Sequence, residues 1–269
     1  MPDTPHTLIR VVDIETTGLD LADDAIVEIG WCDLRAHQID LAGAPANWRV
    51  ADALTGHPQS RLVDPRRPIP PQSSAVHHII DRDVVGCPTA ADVVSLLCGD
   101  DAGPAAIFAA HNAKFERGFL DPLMPDGRLW LCSYKLALRL WPDAPSHANA
   151  ALRYWRGLEA IDRDRMRPTH RAGPDAYVTA TLLAEMLNDP EYPPLATLLE
   201  WSQQPALQVT CHIGAWRGHK WTEVDEGFLR WVAARDFDED VLYTVRHELE
   251  RRQSESEALH SENGSIEEG

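Results

Sequence analysis

Lysine is almost missing from this 269-residue chain: only Lys114, Lys135 and Lys220 stand among its 25 basic residues. Acids outnumber bases 42 to 25, a net charge of −17, which argues against a protein that coats nucleic acid with a broad cationic face. An enzyme that grips only a strand end stays open. No apolar run approaches the roughly 20 residues of a membrane span, so no membrane partner is expected. The opening MPDTPHTLIRVVDIE lacks a basic segment followed by an apolar core, so no secretory signal is expected and the expected location is the cytoplasm. Cysteine is sparse and scattered (Cys32, Cys87, Cys98, Cys132, Cys211) with no C-x-x-C. An odd number in that pattern favours reduced thiols over a disulfide framework or a zinc site. Internal repeats are absent as well.

What is present suits a globular chain with a sizeable core: 44% hydrophobic and 25% charged residues, long enough for a large domain and a small one. Strand-like runs lie at about 8–14, 26–34 and 105–110, with weaker candidates near 48–51, 60–64 and 129–132. Helical patterns lie at about 89–99, 112–120, 133–141, 146–156 and 175–188. Strands first, then helices interleaved, predict an α/β fold with a mixed sheet flanked by helices. Four prolines make 64–71 an extended connection that cannot be a central strand. Residues 1–188 form the predicted main domain. Pro190, Pro193, Pro194 and Pro205, set around a short helical patch, mark 189–206 as a linker. A small α+β module is expected over 207–250, with a turn-rich β element at 209–224 followed by two amphipathic helices. From 248 on, seven acids against two arginines and no apolar periodicity predict a solvated, unstructured tail at 251–269.

Three segments carry chemistry. In VVDIETTGL (11–19), Asp13 and Glu15 share one face of a strand end while Ile14 points the other way. Two like charges one strand-step apart repel, and a divalent cation between them answers this better than a lone Lys. The plain alternative is a strand that ends in polar residues before the turn at Thr16–Thr17–Gly18. In HNAKFERGFL (111–120), His111 and Asn112 close a strand and Glu116 falls one turn into the next helix. Taken alone, Asn112 reads as a helix cap and Glu116 as a favourable first-turn charge. In THRAGPDAYVTATLL (169–183), His170 precedes Asp175 at a helix start by five residues. An imidazole there suits a proton acceptor over a metal-held water; it is also one of 12 histidines, mostly surface residues. The pair His77–His78 suits a core or cap role better than a metal pair, because adjacent residues do not share a helix face.

Taken together and in this order, the three motifs resemble those of the DEDDh 3′→5′ exonucleases, over about residues 8–188. LCSYKLALRLWPDAPSHANAAL (131–152) and the segment 213–249 are similar to the exodeoxyribonuclease X group, whose small C-terminal module carries glycines and aromatics. The resemblance implies a ribonuclease H-like exonuclease fold and phosphodiester hydrolysis with two Mg²⁺ or Mn²⁺. It implies Asp13, Glu15, Glu116 and Asp175 as metal-binding acids, with Asp13 bridging both ions, and His170 as the base. Ile14, Thr16, Gly18 and Leu19, with His111, Asn112 and Phe115, are then expected to contact the terminal nucleotide. DNA 3′ ends are the expected substrate, digested to 5′-mononucleotides; RNA trimming and a polymerase-associated binding subunit are the alternatives. One departure stands out: the second motif usually ends in Asp, and here it ends in Glu116. In the C-terminal module, Trp216, Trp221 and Trp231 with Arg217, His219 and Lys220 can stack on single-stranded DNA. Trp221 and Trp231 can instead form the core of a small domain. Trp231 is assigned to that core, on a helix pattern with Phe228 and Val232.

Overall fold

The computed structural model describes residues 8–39, 45–50, 58–99, 107–158 and 163–264. Residues 1–7, the predicted strand start at 105–106 and the last five residues of the predicted tail lie outside that set. The chain divides into two units, residues 1–136 with 143–203 and residues 137–142 with 204–269.

The first part of the chain gives strands β1 (Leu8–Thr16), β2 (Ile26–Ile39), β3 (Pro45–Val50) and β4 (Gln59–Leu62). Helices α1 (Pro71–His77), α2 (Asp81–Val84) and α3 (Ala90–Leu97) lead to β5 (Ile107–Ala110) and α4 (Ala113–Leu120). Then come β6 (Leu129–Cys132), α5 (Ser133–Leu140), α6 (Asn149–Trp155), α7 (Ala172–Asn188), α8 (Leu195–Gln203), α9 (Glu226–Ala233) and α10 (Glu239–Gly264). The sheet runs β3-β2-β1-β5-β6, with β4 pairing β2 beside β3. β1 is antiparallel to β2 and parallel to β5, and β5 is parallel to β6. It is the predicted mixed sheet.

β1 lies inside the sheet, which explains its apolar run. Its even residues Leu8, Val12 and Ile14 join a core with Phe108, Val93, Leu97 and Leu120, on the side of α3 and α4. The odd residues turn to the other face, where α7 packs across β1, β2 and β3. Arg10 interrupts the even row, and its charge is fully answered: Nε donates to Asp33 Oδ1 at 2.8 Å and Nη1 to the Leu97 carbonyl at 2.6 Å.

Three features go beyond or against the expectations. Helices α1 and α2 follow the proline-rich stretch; Pro71 takes the first helical position, where its missing N–H costs nothing. Four to seven residues are too few to show a helical period. The helical patch inside the predicted linker is α8, and it packs on the sheet edge at β6 as part of the first unit: the Cys132 N–H donates to Ser202 Oγ at 2.9 Å, and Leu198 is fully buried. The predicted β element at 209–224 reduces to one bridge, Thr210 to Lys220, and two short 3₁₀ turns.

In the second unit, Cys211, Trp221, Val224, Leu229, Val232, Val241 and Val245 form the core. Trp221 is buried, which decides between its two readings in favour of the core, but Trp231 is 41% exposed. Leu229 and Val232 take the inward stripe of α9, and Trp231 falls on its flank, stacked on Phe228 at 5.3 Å. The first part of the expected tail, 251–264, instead prolongs α10. Arg251 pairs with both Glu248 and Glu255, and Arg252 also pairs with Glu248, so ion pairs at helical spacing take the place of an apolar stripe. All five cysteines are free. Among the described residues no helix is long and apolar enough to cross a membrane.

Candidate active site

The β1–β2 register sets the site. Asp13 stands opposite Gly30 and Glu15 opposite Glu28, so three carboxylates share the face that α7 covers. A register shift between Glu15 and Thr16 then ends the regular pairing. Gly30 is what lets α7 come this close. A Cβ on it would lie 2.1 Å from the Ala172 carbonyl carbon and from the Gly173 nitrogen. The first turn of α7 therefore rests on bare backbone, and Asp175 reaches the end of β1. Oxygens of Asp13, Glu15 and Asp175 lie within 4.8 Å of one another.

These acids are ill at ease as anions. Burial, then the charges of Glu116, Asp175, Glu15 and Glu28, push Asp13 well above the usual carboxylate range. Burial, then Asp175 and Glu28, push Glu15 up to about 8, with Arg171 opposing. Asp175 is raised by burial, while His170 draws it down. Glu116 lies outside the trio yet close enough to raise Asp13; it is 4% exposed and itself pushed to about 8, mainly by burial. Its Oε2 is buried with no hydrogen-bond partner. Clustered hard oxygen donors, raised pKa values and an orphaned carboxylate oxygen fit a divalent cation held by oxygen ligands.

His170 is exposed on the loop before α7, with φ +57°, the left-handed region uncommon for a non-glycine residue. Its N–H donates to Asp175 Oδ2 at 3.1 Å, which ties the loop to the acid.

The other predicted contact residues separate by environment. Leu19 is 82% exposed beside Gly18. Thr16 Oγ1 donates to the Gly18 carbonyl at 2.5 Å, and Thr17 Oγ1 donates to Asp24 Oδ1 at 2.8 Å, so this turn is held by its own side chains. Ile14 points its side chain into the core, leaving only backbone to offer. Asn112 sits at the N-cap of α4 with φ +72°, exposed, and makes no side-chain cap bond, so the capping alternative fails. Phe115 is half-buried, edge-on to Phe119 at 5.2 Å. His111 is a tether: Nδ1 bonds Ser133 Oγ at 2.9 Å and Nε2 bonds the His147 carbonyl at 2.8 Å, which occupies both ring nitrogens. Burial holds it near 4, neutral at physiological pH. His77 is 2% exposed and its Nδ1 accepts from the Ile79 N–H at 3.1 Å, while His78 caps α1 in the left-handed region. The core-and-cap reading of that pair holds.

Glu28 and Arg171 escaped the sequence reading. Arg171 donates through Nε at 2.8 Å and Nη2 at 2.6 Å to Glu28, which also accepts from the Ala172 N–H at 3.1 Å and from Ser60. Burial alone would raise Glu28, but these donors outweigh it and hold the carboxyl below its ordinary range. The detectable signal was an acid inside the apolar run Ile26–Val27–Glu28–Ile29.

The profile of the RNase_T exonuclease family matches residues 11–183, which span β1 through most of α7. The chain belongs to the RNase_T exonuclease family. It is 33% identical over 248 residues to Exodeoxyribonuclease 10 of Escherichia coli K12, covering 90% of this chain and 99% of that one. It is 29% identical over 192 residues to the DNA polymerase III subunit epsilon of Treponema pallidum, covering 68% and 77%. Among solved structures it resembles Exonuclease X in complex with 5′ overhanging duplex DNA, with TM-score 0.51 and 30% identity over 71% of this chain and 99% of that one. Membership makes this chain an exonuclease homologue, a nucleic-acid hydrolase by class. The acid cluster lies within the matched span of the RNase_T family, at the strand end where its sheet meets α7.

Proposed function

We propose that the protein is a metal-dependent 3′→5′ exodeoxyribonuclease that releases 5′-mononucleotides from DNA 3′ ends. One observation carries the reading: three carboxylates with oxygens within 4.8 Å of one another, on a face where His170 is tied to Asp175. DNA as substrate is supported by the likeness to Exodeoxyribonuclease 10 and to a structure of Exonuclease X with duplex DNA. In this reading residues 1–188 form the exonuclease domain, 207–250 an accessory module, and five unpaired thiols suit a cytoplasmic setting.

Asp13, Glu15 and Asp175 would hold the divalent ions, two Mg²⁺ or Mn²⁺ in this reading, with Asp13 most central among the acids and Glu116 assisting from its buried position. When bound, such ions polarise the scissile phosphate and acidify the attacking water. His170 takes the proton of that water as its oxygen bonds phosphorus and the bond to the 3′ oxygen of the preceding nucleotide breaks. The shortened strand keeps that oxygen, which takes a proton from solvent to become its new 3′ hydroxyl, and the mononucleotide keeps the phosphate. Leu19 and Phe115 offer apolar surface to the terminal base, and Thr16, Gly18 and Ile14 offer backbone. Asn112 offers an exposed amide, and His111 fixes the loop that carries it. A binding subunit with a retired site would be expected to have lost some of these acids, and all four and the histidine are present.

The test is digestion of 3′-labelled and 5′-labelled single-stranded DNA and RNA with Mg²⁺, with Mn²⁺ and with EDTA. The expected result is a metal-dependent ladder from the 5′ label and immediate mononucleotide release from the 3′ label, faster on DNA. Internal cleavage, or equal rates in EDTA, would overturn the assignment.

A further inference from the structure

Next to the acid cluster the molecule has a pocket of the opposite character. A cavity of about 540 Å³ is lined by Arg153, Arg163 and Arg167 together with Tyr154, Leu158 and Met166. Among the described residues no acid lines it, in a chain of net charge −17. Arg153, in the last turn of α6, is 6% exposed. Its Nη1 lies against Met166 Sδ at 3.4 Å and its Nη2 donates to the Tyr154 hydroxyl at 2.7 Å. Its Nε is buried without any partner. The Arg153 charge acts on Asp175, which it draws down, but the buried N–H left without an acceptor still costs free energy that an anion in the cavity would offset. Arg163 and Arg167 are exposed at the same cavity and make no ion pair among the described residues.

The lining also selects the anion. Guanidinium forks match phosphate oxygens. Tyr154, 70% exposed, offers an aromatic face, and Leu158 and Met166 add apolar surface of the kind that holds a sugar or base. The volume falls within the range of small-ligand sites. The Arg153 charge reaches Asp175, which places the pocket beside the acid cluster.

We propose that this cavity is a nucleotide-phosphate subsite, which takes either a phosphate of the substrate strand or the 5′-phosphate of the released mononucleotide. The choice of ligand rests on the reading that the protein frees nucleotides from strand ends. The experiment uses the full chain and an Arg163→Gln/Arg167→Gln double variant, whose exposed positions leave folding intact, checked by thermal melting. Calorimetry in EDTA measures binding of deoxyadenosine monophosphate, of deoxyadenosine and of a 12-nucleotide single strand. The wild type is expected to bind a phosphorylated ligand and not deoxyadenosine, and the double variant to bind that ligand about tenfold more weakly, with a shallower salt dependence. Loss confined to the 12-mer identifies a strand phosphate; loss confined to the monophosphate, with weaker product inhibition, identifies the product. Unchanged affinity for both, or no binding by the wild type, overturns the proposal. Failure of the exonuclease reading would show separately, as absence of metal-dependent digestion by the wild type.

Discussion

At the scale of single residues, the site gives up stability to keep its charges together. Asp13 is the most central ligand in the proposed mechanism and the acid most crowded by others. Asp13→Asn is expected to lower kcat by about 1,000-fold or more in steady-state digestion, with little change in KM, because it removes charge where the transition state needs it. Glu116 is the departure from the usual acid of its motif, and its carboxylate is buried with one oxygen unpartnered. Glu116→Asp shortens the arm by about one bond and is expected to keep kcat within about tenfold while changing the ratio of Mg²⁺ to Mn²⁺ activity. Glu116→Gln is expected to lose about 100-fold with both metals. Equal rates for Glu, Asp and Gln at this position would remove Glu116 from the metal set.

At the scale of elements, the contact between β2 and α7 decides whether there is a site. Gly30 accepts the α7 backbone where any side chain would collide with Ala172 and Gly173. Backbone cannot yield as a flexible side chain does, so Gly30→Ala is expected to cost about 3 kcal/mol and lower Tm by about 6–12 °C. Activity should fall further than stability, because Asp175 and the His170 loop are carried away with the helix. A thermal melt paired with kcat at a temperature where the variant is folded checks both. The Glu28–Arg171 pair works at the same contact: it pins the start of α7 to β2 and places a cation beside Glu15. α8 belongs to this scale too, since its helical patch between proline flanks read as part of a linker and its packing on the edge of β6 makes it part of the first unit.

For the whole molecule, the raised carboxylates link folding to pH and to metal. Glu15 has an ordinary pKa near 4.5 and is raised to about 8 in the fold. Below 4.5 it is protonated whether the chain is folded or not, and its contribution is neutral. Between 4.5 and 8 the unfolded chain releases a proton that the folded chain keeps, so stability falls as pH rises, and the loss is complete above 8. In EDTA, Glu15→Gln should therefore melt with the wild type near pH 4.5 and several degrees above it at pH 8.5. Mg²⁺ at pH 8.5 should raise the wild type's Tm and narrow that gap. A gap that is constant with pH, or a wild type indifferent to Mg²⁺, would contradict the cluster's role. Glu28 and Glu248 run the other way, since both are held below their ordinary range and their stabilisation fades only as pH falls through their folded values.

The local pattern was enough to determine the strands of the sheet and the main helices, while Glu116 and Asp175 joined Asp13 and Glu15 in the sequence reading only through the combined order of the three motifs. Apolar runs and periodicity are set by near neighbours in the chain, and Asp13 with Glu15 needed only the two-residue repeat of a strand. Other features depend on residues far apart in sequence. The 30–172 approach, the pairing of Glu28 with Arg171 and the covering of β6 by α8 each join segments whose partnership no local pattern records. The same holds for Trp231 and His111: one was expected in the core and is exposed, the other was expected at the substrate and is locked between Ser133 and His147. Residue type says what a side chain can do, but its tertiary neighbours decide whether its face or its nitrogens stay free to do it.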